Sequence, residues 1–132
     1  MTGGRQDHDS HELQLAAEPG SVSVARRAAS EWAEKRGVDG EAVALAVSET
    51  VTNAVMHAYR DEPDGEIHLK MKRNGDGIVV IVADSGGGIR PNPNSPGLGY
   101  GLPLVASVAD EVGIARSPQG GTSVRMRFFV VD

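Results

Sequence analysis

Residues 48–59 read Ser48-Glu49-Thr50-Val51-Thr52-Asn53-Ala54-Val55-Met56-His57-Ala58-Tyr59. Val51, Ala54 and Ala58 continue a series begun by Val43 and Val47, and spacings of three and four put all five on one stripe of a helix. That helix is expected to open after Asp39-Gly40 and to run to about Tyr59. Glu49 and Asn53 are expected roughly opposite that stripe, free of the sheet-facing side and about 40° apart around the axis. A carboxylate and a carboxamide one turn apart can hold Mg²⁺ and orient a nucleophile beside it. Taken alone, the pair reads more simply as a solvated helix face. His57 extends the same side; with no second histidine at ligand spacing, it reads as a structural or supporting residue, not a metal ligand.

Downstream of this helix, Pro63-Asp64-Gly65 is a turn and Ile67, Leu69 and Met71 alternate as in a half-buried strand. Asn74-Gly75-Asp76-Gly77 has hairpin-turn chemistry, and Ile78–Ala83 is an unbroken β-branched apolar run suited to a central strand. Asp84-Ser85-Gly86-Gly87-Gly88-Ile89 follows it. An aspartate at a strand's carboxyl end can accept from an exocyclic amine, and Gly86 and Gly88 let the backbone approach a flat ligand. A flexible turn with a capping aspartate would use the same residues.

Residues 85–101 hold six glycines and three prolines. They end in Gly97-Leu98-Gly99-Tyr100-Gly101-Leu102, which leads into a short helix expected over Leu102–Ala109 with Pro103 in its first turn. Successive N–H groups and the positive helix end suit a phosphate there. The pattern is neither a Walker motif nor a dinucleotide fingerprint: no Gly-Lys-Ser or Gly-Lys-Thr occurs, and no parallel βαβ unit surrounds it. A strand over Val112–Ala115, a turn over Pro118–Gly121 and a last strand over Ser123–Val131 follow. Thr122, after Gly120-Gly121, either lines a pocket or simply opens a hairpin strand.

Upstream, Met1–Ser10 is polar and aperiodic and reads as a disordered tail. Leu13, Leu15 and Ala17 alternate as an edge strand over His11–Ala17. After Pro19-Gly20, Ser21 is expected to N-cap a helix through Ala25, Ala28, Ala29 and Trp32 that stops at Gly37 in an αL cap. The order β-α-α-β-β-α-β-β predicts an α+β fold. Its two layers are helices on one face of a mixed, mostly antiparallel sheet. Residues 11–132 are expected to form its single domain.

A chain of 132 residues has room for one core. It has no cysteine, which excludes disulfides and thiolate chemistry, and a net charge of −5 with 4% aromatic residues. Those figures argue against wrapping a nucleic acid or stacking its bases. No apolar run reaches membrane-spanning length and no signal pattern opens the chain, so a cytoplasmic protein is expected.

The order and spacing of Glu49-x-x-x-Asn53-Ala54, Asp84-x-Gly86-x-Gly88, Gly97-x-Gly99 and Gly121-Thr122 resemble the Bergerat (GHKL) ATP-binding fold. Gyrase, heat-shock chaperones, mismatch-repair ATPases and histidine-kinase catalytic domains share it. Within that superfamily, residues 48–59 are similar to the bacterial serine-kinase anti-sigma factors, whose corresponding helix commonly ends in His-Ala-Tyr or His-Gly-Tyr. The resemblance covers about Glu41 to Phe128. It implies ATP and Mg²⁺ as ligands, with Glu49 as general base and Asn53 on the metal. Asp84 would accept from the adenine amino group, Gly86 and Gly88 would shape the wall, and Thr122 would support Asp84. Gly97, Leu98, Gly99, Tyr100, Gly101 and Leu102 would hold the phosphates. It also implies a sigma factor and a STAS-type antagonist protein as partners, the antagonist receiving the γ-phosphate on serine, and a homodimer as a common state. The chain departs from the family pattern in its short lid, where Arg90 is the one basic residue between Gly88 and Gly101. Arg90 is therefore the candidate γ-phosphate contact. A nucleotide-gated binding module or a histidine-kinase-type catalytic domain are the alternatives.

Overall fold

Asp39 decides where the central helix begins: its Oδ1 accepts from Glu41 N at 3.0 Å and Ala42 N at 3.4 Å, satisfying donors that the first turn leaves unbonded. The computed structural model describes residues 9–58, 65–84, 102–116 and 121–131. In chain order the elements are β1 (Ser10–Ala16), α1 (Gly20–Glu34), α2 (Gly40–Asn53), a π-helical turn (Ala54–Ala58), β2 (Glu66–Asn74), β3 (Gly77–Asp84), α3 (Leu102–Val108), β4 (Glu111–Arg116) and β5 (Thr122–Phe129). The strands form one sheet in the order β1-β2-β3-β5-β4. The sheet is the expected mostly antiparallel one, and every pairing among the described residues is antiparallel.

Alternation along the strands builds the core. Ile67, Leu69 and Met71 of β2, Ile78, Val80 and Val82 of β3, and Val124, Met126 and Phe128 of β5 all turn to the helix side and are buried. The helices answer with Val43, Ala46, Val47 and Val51 of α2 and with Ala25, Ala29 and Ala33 of α1. That alanine row recurs every fourth residue and lets the two helices approach closely. At the start of α2, a Cβ on Gly40 would run into the Glu34 side chain.

Several boundaries differ from expectation for local reasons. Ser21 does not cap α1, because Pro19 already has helical angles (φ −57°, ψ −34°) and the helix opens at Gly20. Ser21 N and Val22 N already donate to the carbonyls of Glu18 and Pro19 at 3.0 and 3.1 Å, so Ser21 lies inside the first turn and not at its cap position. The end of α1 is as expected: Gly37 has φ +80°, and Gly37 N and Val38 N close back on Glu34 O and Ala33 O, both at 3.1 Å. Ser10, assigned by sequence to the tail, pairs with Lys72 as the first residue of β1, and Arg73 N donates to Asp9 O at 2.8 Å. At the other end β5 stops at Phe129. Val130 N then donates to Asp76 O at 2.8 Å, and Val131 N to Gly37 O at 3.0 Å.

The β2–β3 hairpin turns on Gly75 (φ +58°), with Asn74 and Gly77 as the closing pair. Gly77 tolerates no side chain, since a Cβ would meet the Phe128 carbonyl and lie 2.8 Å from Phe129 Cα. Trp32 is half-buried against the core, with the Arg36 guanidinium 3.8 Å from its ring centre.

Candidate nucleotide site

The direction of α2 is set by two contacts. Val131 N bonds to Gly37 O at 3.0 Å, so α2 begins beside the carboxyl end of β5. Farther along, Thr50 Oγ1 lies 3.8 Å from Met126 Sδ. Ten helical residues rise about 15 Å and five strand residues about 17 Å, so the two elements run side by side in opposite directions. The carboxyl end of α2, carrying Glu49 and Asn53, therefore reaches the end of the sheet where β5 begins and β3 finishes.

That end of the sheet is polar. Ala83 pairs with Ser123, which makes Asp84 and Thr122 the next positions in register, both on the helix side of their strands. Asp84 and Thr122 are each 6% exposed and Asn53 is 7% exposed. They are three of five buried polar residues among those described. Thr50 is another, and its hydroxyl is satisfied by donating to Ala46 O within its own helix. Asn53 differs: its Nδ2 is buried and makes no hydrogen bond among the described residues. A buried amide end left in this way costs about 1–3 kcal/mol, so it fits a site whose polar partner is a ligand. Glu49, one turn earlier, is only half-buried and is open to a reactant from outside.

Immediately after Asn53 the helix widens into the π-helical turn, a feature frequent at functional sites. Sequence spacing does not reveal it, because Ala54 and Ala58 keep the four-residue interval of an α-helix. The turn exposes Met56 to 59%. His57 lies on the turn, its side chain outside the described residues. Spacing also fails to single out Thr50; the available signal is a polar residue set between Val47 and Val51 on the apolar side of the helix.

Of the residues proposed from sequence, Glu49, Asn53, Asp84 and Thr122 are thus gathered at one end of the sheet. Leu102 is the first residue of α3, which packs along α2. Gly86, Gly88, Arg90, Gly97, Leu98, Gly99, Tyr100 and Gly101 lie outside the described residues.

Known proteins resemble this chain in sequence and in fold. The serine-protein kinase RsbW of Oceanobacillus iheyensis is 31% identical over 144 residues, covering 96% of this chain and 90% of that protein. RsbW of Listeria innocua is 42% identical over 82 residues, covering 60% of this chain and 52% of the relative, so that match spans about half the relative's length. The crystal structure of the RsbU and RsbW domains of Rv1364c from Mycobacterium tuberculosis has a TM-score of 0.65 at 26% identity, over 89% of this chain and 31% of that one. The ATP binding domain of PrrB from the same organism, at TM-score 0.56 and 19% identity over 92% of this chain and 98% of its own, shares the fold. Residues 15–128 match the model of the histidine kinase-like ATPase domain, and it is to this family that the chain belongs.

Proposed function

We propose that this protein is an ATP-dependent serine kinase and anti-sigma factor, which phosphorylates an antagonist protein in a partner-switching circuit. The observation that carries the reading is the group of buried polar residues, Asn53, Asp84 and Thr122, at one end of an otherwise apolar sheet face. Burying polar side chains is costly unless each is hydrogen-bonded, and the Asn53 amide nitrogen makes no such bond among the described residues, which suits a ligand at this end of the sheet. The RsbW relatives are named serine-protein kinases, which supports the choice of a serine in a protein as acceptor.

In this reading Asp84 accepts a hydrogen bond from the adenine amino group, supported by Thr122, while Gly86 and Gly88 leave room for the ring. Asn53 turns its carboxamide oxygen to the metal. A magnesium ion bound there supplies charge neutralisation on the triphosphate. Gly97, Gly99 and Gly101, with the backbone of Leu98, Tyr100 and Leu102, hold the phosphates, and Arg90 meets the γ-phosphate. Glu49 accepts the proton of the incoming serine hydroxyl. The serine oxygen bonds to the γ-phosphorus as the bond to the β–γ bridging oxygen breaks, giving phosphoserine and ADP. Positioning and charge stabilisation supply most of the rate, as is general for phosphoryl transfer.

The test is transfer from labelled Mg-ATP to a cognate antagonist. Wild type gives acid-stable phosphoserine, and Glu49→Ala lowers turnover by about 10²–10⁴-fold, the range of a general base, with ATP affinity kept. Transfer unchanged in Glu49→Ala refutes the assignment of the base. Nucleotide-dependent partner binding with no transfer in either protein replaces the kinase with a nucleotide-gated binding module.

A further inference from the structure

All described helices pack on one face of the sheet, and four of the chain's thirteen lysines and arginines stand together on the other. Register lines up two rows across that outer face: Lys72, Val79 and Arg127 in one, Lys70, Ile81 and Arg125 in the next. β3 therefore offers an apolar column with two cations on each side. Val79 is fully buried although it points away from the helices, and its neighbours in register are the long side chains of Lys72 and Arg127. Such stems cover apolar surface while their charged heads stay in water. Of the acids of this face, Glu12 and Glu111 stand on the edge strands β1 and β4, and Glu66 stands at the far end of β2, two positions beyond His68 from Lys70. Glu12 is 4.0 Å from Lys70, an exposed pair that holds weakly, and Glu111 is 3.9 Å from the half-buried Arg127. Lys72 and Arg125 have no ion pair among the described residues.

We infer that this outer face docks an acidic protein segment, which lays apolar side chains along Ile81 and Ala83 and sets carboxylates against Lys72 and Arg125. Charge complementarity selects the occupant. A second copy of the chain would bring the same four cations against themselves. A nucleic acid would meet the net charge of −5 at long range and Glu12 and Glu111 at short range. A protein segment can place a few carboxylates locally and use the apolar column that phosphates cannot. Asn53, Asp84 and Thr122 lie on the helix side of the sheet, so the docking does not obstruct them and stands independently of the kinase reading.

The probe is a synthetic amphipathic helical peptide with glutamates flanking a leucine row, titrated into the isotope-labelled full chain and followed by backbone amide shifts. The expected result is shifts confined to β2, β3 and β5, with affinity falling about tenfold or more in the Lys72→Glu, Arg125→Glu double variant. Circular dichroism checks that this variant folds, and Lys72→Ala, Arg125→Ala takes its place if it does not. ATP titration of the same variants is expected to be unchanged, which separates this surface from the nucleotide site. Shifts on the helix face, or full affinity in the variants, overturn the proposal. So does equal binding of a peptide with serines in place of the leucines, which marks a general polyanion surface. Tighter binding of a short DNA duplex, or a self-associated chain with this face buried, overturns it in favour of those occupants.

Discussion

At the scale of single residues, Asp84 and Asn53 carry separable consequences. Asp84 is buried, and in the proposed pocket its carboxylate takes a charge-assisted hydrogen bond from adenine. Asp84→Asn keeps the shape but presents a donor to a donor. ATP affinity is expected to fall by about 1.5–3 kcal/mol, roughly 10- to 150-fold, in calorimetric titrations; equal affinity in both proteins removes the adenine role. Asn53→Ala deletes a carboxamide whose Nδ2 makes no bond among the described residues. Stability should change little, because no protein bond is broken. The gain in ATP affinity on adding Mg²⁺ should shrink while metal-free ADP binding persists. A magnesium dependence equal to wild type counts against metal contact.

At the scale of elements, the hairpin is the sharpest constraint. Gly77→Ala drives a methyl into the backbone of Phe128 and Phe129, which cannot rotate away as a side chain could. A loss of about 1–3 kcal/mol in urea unfolding is expected, the cost of overpacking, and a smaller loss would mean that β5 shifts to admit the methyl. Elements whose ends are set by local chemistry were legible in the sequence. Asp39 caps α2, Gly37 ends α1, and the alternation of Ile67, Leu69 and Met71 fixes the inward face of β2. Other features depend on groups that come close only after folding. Ser21 looks like a cap, but the turn closes earlier, on the Glu18 and Pro19 carbonyls, and takes Ser21 into the helix. The π-helical turn keeps an α-like residue spacing, and Val79 is buried on the outer face between Lys72 and Arg127, its register neighbours on two other strands. The site divides similarly: Glu49, Asn53, Asp84 and Thr122 could be named from spacing, but that α2 delivers the first pair to the second follows only from the contacts at Gly37 and Thr50.

At the scale of the whole molecule, binding and folding are linked through the same buried polar end. A ligand that binds only the folded chain stabilises it by RT ln(1 + [L]/Kd), about 2.7 kcal/mol at a hundredfold excess over Kd. For a domain of this size that is on the order of 10 °C in Tm. Mg-ATP should give such a rise in a thermal melt, GTP much less, and Asp84→Asn should lose most of it. An equal rise with GTP would show that the pocket reads phosphate and not the base. Sulfur chemistry is distributed just as unevenly over the fold. With no cysteine in the chain and Met71 and Met126 sealed in the core, the described sulfur open to peroxide is that of Met56. Its sulfoxide would put a strong dipole on the turn that follows Asn53. In a cell under oxidative stress, the lesion would therefore fall beside the candidate nucleotide pocket and leave the hydrophobic interior chemically intact.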